Sequence, residues 1–135
     1  MNDKIFFDTN VILYSYSHIN DNKSIVAKEL IRNYYGVIST QVLQEMCNVL
    51  IKKFRLDEHS IFKTLTELNK NSKVEINRSQ TINSALQIHF KYEFSYYDSL
   101  IIASALQNEC SILYSEDLHH NQKIEKTLTI INPFI

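Results

Sequence analysis

Glycine is nearly absent: Gly36 is the only one in 135 residues. Loops that wrap phosphate in backbone amides need several glycines, so a P-loop or a dinucleotide-binding fingerprint is excluded. Proline is equally scarce. Pro133 alone is present, after the last apolar run, where a missing backbone donor costs least because the strand is ending or lies at an edge. The two cysteines, Cys47 and Cys110, lack a metal-type spacing and each falls within an apolar helical pattern, which points to buried reduced thiols and not a disulfide. No apolar run approaches the ~18 residues needed to cross a bilayer, and Asp3 and Lys4 depart from a signal-peptide profile, so a soluble, cytoplasmic protein with no membrane role is expected. Charge of one sign is lacking too. A net charge of −1 excludes binding of a polyanion through a generally basic surface, and leaves a local basic patch, an added cation or a dimer groove.

What is present fits one domain over residues 1–135, since 44% hydrophobic residues suffice for a single buried core at this length. There is no repeat, no low-complexity tract and no linker longer than polar "NKNSK" at 69–73. Short apolar runs, "KIFF", "YGVIS", "KVEI", "SILYS" and "LTIIN", alternate with longer helical patterns, the signature of βαβ units and an α/β fold with a largely parallel sheet. Ile25, Leu30, Ile31 and Tyr34 mark one amphipathic helix, Ile61, Leu65 and Leu68 a second, and Ile82, Ala85, Leu86, His89 and Phe90 a third. "YYDSLIIASAL" is apolar nearly all round, as expected of a helix covered on several sides.

Parallel α/β sheets place ligands at the carboxyl ends of their strands, because crossover connections bring those ends to one edge. Asp8 directly follows the first predicted strand, and Ser115, Glu116 and Asp117 follow the fourth. Helices starting at the same edge add Asp98, in "SYYDS", and Glu45, at the border of the stripe Val42, Met46, Val49 and Leu50. Each acid alone has a plainer role. Asp8 or Asn10 can cap a helix, Ser95 and Asp98 fit a capping box, Asp117 fits a polar turn, and Glu45 fits a solvated border position. Together they cannot all be plain. Two carboxylates ~5 Å apart repel by about 3 kcal/mol at an effective dielectric near 20, and four make six pairs, comparable with the ~5–15 kcal/mol stability of a whole domain. A fold that gathers them must bind a cation or raise their pKa values, and an oxygen-only ligand set favours Mg2+ or Mn2+ over zinc.

The order "FFDTN", "STQVLQE", "SYYDSLIIASAL", "LYSEDL" resembles the PIN-domain nucleases, including toxins of the VapC type, along nearly the whole chain. The closing "IINPF" resembles one common PIN subgroup. The resemblance implies a PIN-like three-layer sandwich, with a parallel sheet of about five strands flanked by helices and a metal-dependent ribonuclease site at one edge. It matches Asp8, Glu45, Asp98 and Asp117 to the family's acids, Asn10 to the polar residue of the first motif and Ser115 to the small hydroxyl residue of the last. Thr9 is a supporting candidate, and the spacing from Ser115 favours Asp117 over Glu116. The subgroup often carries a glycine after "SEDL", where this chain reads "SEDLHHNQ"; Asn121 adopts a left-handed conformation more readily than most residues and can preserve that turn.

The expected chemistry is hydrolysis of RNA phosphodiester bonds with one or two divalent ions, Mg2+ or Mn2+, polarising the attacking water and stabilising the leaving oxygen. Asp8 and Asp98 are the expected principal ligands, Asp117 completes the set directly or through water, and Glu45 orients or deprotonates the water. Asn10 and Ser115 hold these groups by hydrogen bonds. Lys52, Lys53 and Arg55, or Lys123 and Lys126, are candidate phosphate contacts, though short basic clusters are usually solvated faces. Tyr97, like Tyr96, flanks Asp98 and can stack on an unpaired base. Adjacent His119 and His120 point different ways and give no zinc site, His89 reads as a hydrogen-bonded core histidine, and His18 and His59 carry no signal. The resemblance also brings an antitoxin partner and a homodimer into view. Two competing readings are an aspartyl-phosphate protein and a catalytically silent RNA- or protein-binding PIN scaffold. The first lacks a second acid at Asn10 and a lysine after the last strand.

Overall fold

The computed structural model describes residues 3–17 and 21–135. Its sheet is built from β1 (Ile5–Phe7), β2 (Val37–Ser39), β3 (Lys73–Glu75), β4 (Ile112–Tyr114), β5 (Lys123–Ile124) and β6 (Leu128–Ile131). The helices are α1 (Thr9–Ser15), α2 (Asn22–Asn33), α3 (Thr40–Lys52), α4 (Glu58–Asn71), α5 (Ser79–Tyr92) and α6 (Tyr96–Gln107). Strand order is β3-β2-β1-β4-β6-β5, parallel except for β5, which pairs antiparallel with β6. The five expected strands are all present. β5 is the addition, two residues long and too short to carry an alternating pattern.

This order fixes where a ligand can bind. The chain runs outward from β1 through β2 to β3, then crosses back to β4 on the other side of β1. Right-handed crossovers in opposite directions cover opposite faces of the sheet, and the reversal opens a crevice at the carboxyl ends of β1 and β4. The helix packing agrees: α1 packs with α2 and α3, α3 with α4, and α5 with α6. The register Phe7↔Tyr114 sets Asp8 beside Ser115 at that crevice.

The central strand β1 is buried along its length, and Phe6, Phe7, Ile38, Leu113 and Ile130 are among the largest fully buried side chains. Gly36, just before β2, is required by packing: a Cβ there would collide with the Phe7 ring, itself stacked on Tyr114. The left-handed positions go to other residues, Asn121 among them at φ 70°, as the "SEDLHHNQ" turn requires.

α6 has the expected all-round burial, with Ser99 to Ala105 inside. Of the face expected for α5, Ala85 is buried and His89 half-buried, but its three large apolar residues are turned outward. Thr81, Ala85 and Ile88 face inward, whereas Ile82, Leu86 and Phe90 are exposed. Close approach to α6 selects small groups, since Ala85 packs with Ala103 and Leu100 and the Thr81 hydroxyl bonds Gln107 at 2.5 Å, so the bulky residues turn outward. In α2, Ser24 and Ala27 are buried, and the expected Ile25 and Tyr34 are exposed. "NKNSK" is not a linker, because α4 runs to Asn71 and β3 begins at Lys73. Cys110 is buried beyond the end of α6 and Cys47 is half-buried on α3; both are free thiols. No helix among the described residues is long and apolar enough to cross a membrane.

Candidate active site

Three consecutive residues after β1 organise the crevice. Asp8 caps α1: the Thr9 N–H donates to its Oδ1 at 2.7 Å, and the Ser115 hydroxyl donates to its Oδ2 at 2.8 Å. Its own N–H donates to the Tyr114 carbonyl at 3.0 Å, which extends the β1–β4 ladder by one rung. The Thr9 hydroxyl donates to Oε1 of Glu45 on α3. Asn10 donates from Nδ2 to Oδ2 of Asp117 at 3.0 Å, and its Oδ1 accepts from the Glu116 N–H at 3.2 Å. With both ends of the amide engaged, its orientation is determined by its partners.

Asp98 enters from the first turn of α6, where its N–H donates to the Ser95 hydroxyl at 3.2 Å. Ser95 is therefore a true cap, but the return bond from the Ser95 N–H to the Asp98 carboxylate is not found among the described residues. The carboxylate is left for another partner. Gln41, in the first turn of α3, is buried and donates from Nε2 to the Tyr97 carbonyl at 3.2 Å. It ties the helix bearing Glu45 to the helix bearing Asp98. Nothing in the sequence singled it out, because its role exists only where α3 meets α6.

Asp8 is 8% exposed and carries the electrostatic cost of the site. Burial pushes its carboxyl up from 3.8 to about 6; bonds from Ser115 and Thr9 oppose this, and the charges of Glu45 and Asp98 push it further up. No lysine, arginine or histidine forms an ion pair with Asp8, Glu45, Asp98 or Asp117 among the described residues, whose ion pairs lie elsewhere. The convergence is one of neighbourhood, not of ligand spacing. No three acids, histidines or cysteines among the described residues form a ready ion cage. Neutral side chains hold the acids instead: Ser115 holds Asp8, Thr9 holds Glu45 and Asn10 holds Asp117. A hard cation fits this set chemically, because the donors are carboxylate oxygens, one of them buried, without a cationic partner.

Glu116 is turned elsewhere. It accepts from the Tyr14 hydroxyl at 2.8 Å and pairs with Lys23 Nζ at 2.5 Å. Lys23 and Tyr14 carry no signal in the sequence, and "IINPF" is visible there only as a motif, because their meeting exists only in the fold. Lys52, Lys53 and Arg55 are exposed at the far end of α3; Lys52 lies seven residues past Glu45, about 10 Å along the helix axis. Tyr97 is 66% exposed beside Asp98, while half-buried Tyr96 packs against Ala85, Leu100 and Ala103. Lys123 and Lys126 sit in and just after β5. His89 Nδ1 lies 2.5 Å from the Phe94 carbonyl, the bonded histidine expected. His120 Nδ1 accepts the Asn132 N–H at 3.0 Å, His119 and His59 are exposed, and His18 lies outside the described residues.

Fold and edge together define the class, an α/β domain with an acidic site at the switch point of its sheet. The family model for the PIN domain matches residues 5–125, and the chain belongs to that family, whose general activity is that of nucleases. Among solved structures it is similar to a toxin–antitoxin complex from Klebsiella pneumoniae, with a TM-score of 0.75 and 18% identity over 97% of this chain and 98% of that one. It is similar to VapC20 of Mycobacterium tuberculosis, a sarcin-ricin loop cleaving toxin, with a TM-score of 0.69 and 19% identity over 84% and 90%. VapBC2 from Rickettsia felis, bound to a DNA fragment from its promoter, gives a TM-score of 0.68 and 16% identity over 93% and 96%. No curated protein matches the chain.

Proposed function

We propose that this protein is a metal-dependent endoribonuclease of the VapC type, acting in the cytoplasm as the toxin of a toxin–antitoxin pair. The observation that carries this reading is Asp8: a buried carboxylate, influenced by Glu45 and Asp98, with no cationic side chain paired to it among the described residues. Asp8, Asp98 and Asp117 would hold the ion. Lewis acidity at the attacking and leaving oxygens of the phosphodiester comes from a bound Mg2+ or Mn2+.

The chain's own residues supply position and proton transfer. Ser115 and the Thr9 N–H engage one lone pair on each Asp8 oxygen and leave the others available. Glu45 is held through Oε1 by Thr9, which leaves Oε2 to orient a water or take its proton. Asn10 aims Asp117 into the same crevice. Exposed Tyr97 is placed to stack on an unpaired base, and Lys52, Lys53 and Arg55 to meet the phosphate backbone further along α3. Attack by an external water, with the P–O3′ bond broken and the 3′ oxygen leaving, gives 5′-phosphate and 3′-hydroxyl ends.

The toxin–antitoxin complexes among the similar structures support an antitoxin partner for this chain. A homodimer completes the reading, and the outward stripe Ile82, Leu86 and Phe90 on α5 is a surface available to it. The test is cleavage of an unstructured RNA with Mg2+ or Mn2+ present. Wild type should cleave, and Asp8→Asn and Asp98→Asn should each lower the rate roughly 100-fold or more, as loss of several kcal/mol of charge stabilisation requires. If both variants cleave like wild type, the mechanism is wrong; RNA binding without cleavage would favour a silent scaffold.

A further inference from the structure

The sequence closes on "IINPFI", and the nuclease reading gives residues 130–134 of it no task. Its residues close over the back of the loop that carries Asp117. The Asn132 side chain donates to the Glu116 carbonyl at 3.4 Å, and the Asn132 N–H donates to His120 Nδ1 at 3.0 Å, so both ends of the 116–120 loop are fastened to the C-terminal segment. The Phe134 N–H donates to Asn132 Oδ1 at 2.9 Å, which sets the ring of Phe134 edge-on to Tyr14, 5.0 Å between centroids. Over these two rings lies Lys23 Nζ, 5.3 Å from the centroid of Tyr14 and 6.0 Å from that of Phe134. The same ammonium pairs with Glu116 at 2.5 Å, and the Tyr14 hydroxyl donates to the other Glu116 oxygen at 2.8 Å.

Glu116 thus faces away from the crevice with both carboxylate oxygens engaged, and its backbone N–H faces towards it. That N–H donates to Asn10 Oδ1, and Asn10 Nδ2 donates to Asp117. A continuous chain of contacts runs from α2 through Lys23, Glu116 and Asn10 to an acid of the site. Asp117 itself is exposed, and its side chain has only the Asn10 bond to hold it among the described residues. An exposed carboxylate on a loop needs such support if it is to meet a cation in one fixed place.

From this geometry we propose that Lys23 and Glu116, backed by Tyr14, Asn132 and Phe134, form a clasp that positions Asp117 for cation binding. They are positioning residues, not catalytic ones. The inference rests on the nuclease reading for the identity of the cation, but not for the clasp itself. A partly exposed ion pair adds at most about 1 kcal/mol to stability, so opening it should disturb the site far more than the fold.

The test compares Lys23→Met, which keeps length and bulk but loses the charge, with Lys23→Arg, which restores it. Three quantities are measured: Mn2+ affinity by calorimetry, thermal unfolding without metal, and the Asn10 side-chain amide signals by NMR. Lys23→Met should weaken Mn2+ binding about tenfold, shift the Asn10 amide signals towards those of a solvated amide, and unfold within ~3 °C of wild type. Lys23→Arg should recover affinity and Asn10 signals. Unchanged Mn2+ affinity in Lys23→Met overturns the proposal. If wild type binds no divalent ion, the nuclease reading fails separately, and the Asn10 signals decide the clasp: signals in Lys23→Met identical to wild type overturn it, whereas displaced signals restored in Lys23→Arg uphold it.

Discussion

Asp8 is an acid placed where a carboxylate is costly, and the cost is measurable as a pH dependence. Burial first, with Glu45 and Asp98 adding to it, lifts the carboxyl from 3.8 to about 6. Between those values the folded protein holds a proton that the unfolded chain has lost. Stability of the metal-free protein contributed by this group is therefore highest below pH ~4 and falls as pH rises through ~6, by about 3 kcal/mol for a rise of roughly two units. Asp8→Asn removes the titration. Urea unfolding of both proteins between pH 4 and 7.5 should show the variant gaining on wild type across the window, with a lead on the order of 1–3 kcal/mol above pH 6. A difference that does not vary with pH would mean that Asp8 is not buried as a strained acid. At this scale the sequence was most legible. Asp8, Asn10, Ser115 and Asp117 flank strand ends, and strand ends can be read from apolar runs. Gln41, Lys23 and Asn132 were not legible, because each acquires its role only through a partner remote in the chain.

The elements show what a nearly glycine-free chain must accept. The turn between β5 and β6 is closed by the Thr127 N–H to the Ile124 carbonyl at 3.2 Å, with positive φ at both central residues, 51° at Glu125 and 65° at Lys126. Asn-Gly is the preferred filling of such a turn, and a left-handed non-glycine residue costs ~1–2 kcal/mol. Lys126→Gly should stabilise the protein by about 0.5–1 kcal/mol after allowing for the greater freedom of glycine in the unfolded chain. Thermal unfolding checks this, and a lower midpoint would show that the turn is not strained. Gly36 is the opposite case. Its place before β2 is set by the Phe7 ring and not by a turn, so Gly36→Ala should destabilise by ~1–3 kcal/mol through overpacking, as denaturant midpoints would report. Period alone located α5 but misread its face. Ile82, Leu86 and Phe90 form a regular stripe, and only the close contact of Ala85 with α6 shows that the small residues face inward.

For the whole molecule, the apolar–helical alternation implied a parallel sheet, and the switch point between β1 and β4 follows from the strand order that such connections produce. The sixth strand did not follow, nor did the spacing of the acids, which neutral hydrogen bonds keep as neighbours and not as a closed cage. If the stripe on α5 joins two copies, Phe90→Glu should convert a dimer to a monomer in sedimentation velocity while leaving the fold intact by circular dichroism. An unchanged sedimentation coefficient for a dimer would place the interface elsewhere. The central claim is that the carboxylates of Asp8, just past β1, Asp117, past β4, and Asp98, in the first turn of α6, hold a hard divalent ion. Titration of the purified protein with Mn2+, followed by electron paramagnetic resonance of the free ion, tests it most directly. Wild type should take up Mn2+, and Asp8→Asn should bind at least tenfold more weakly. Equal binding by the two proteins, or no binding by wild type, would contradict the account.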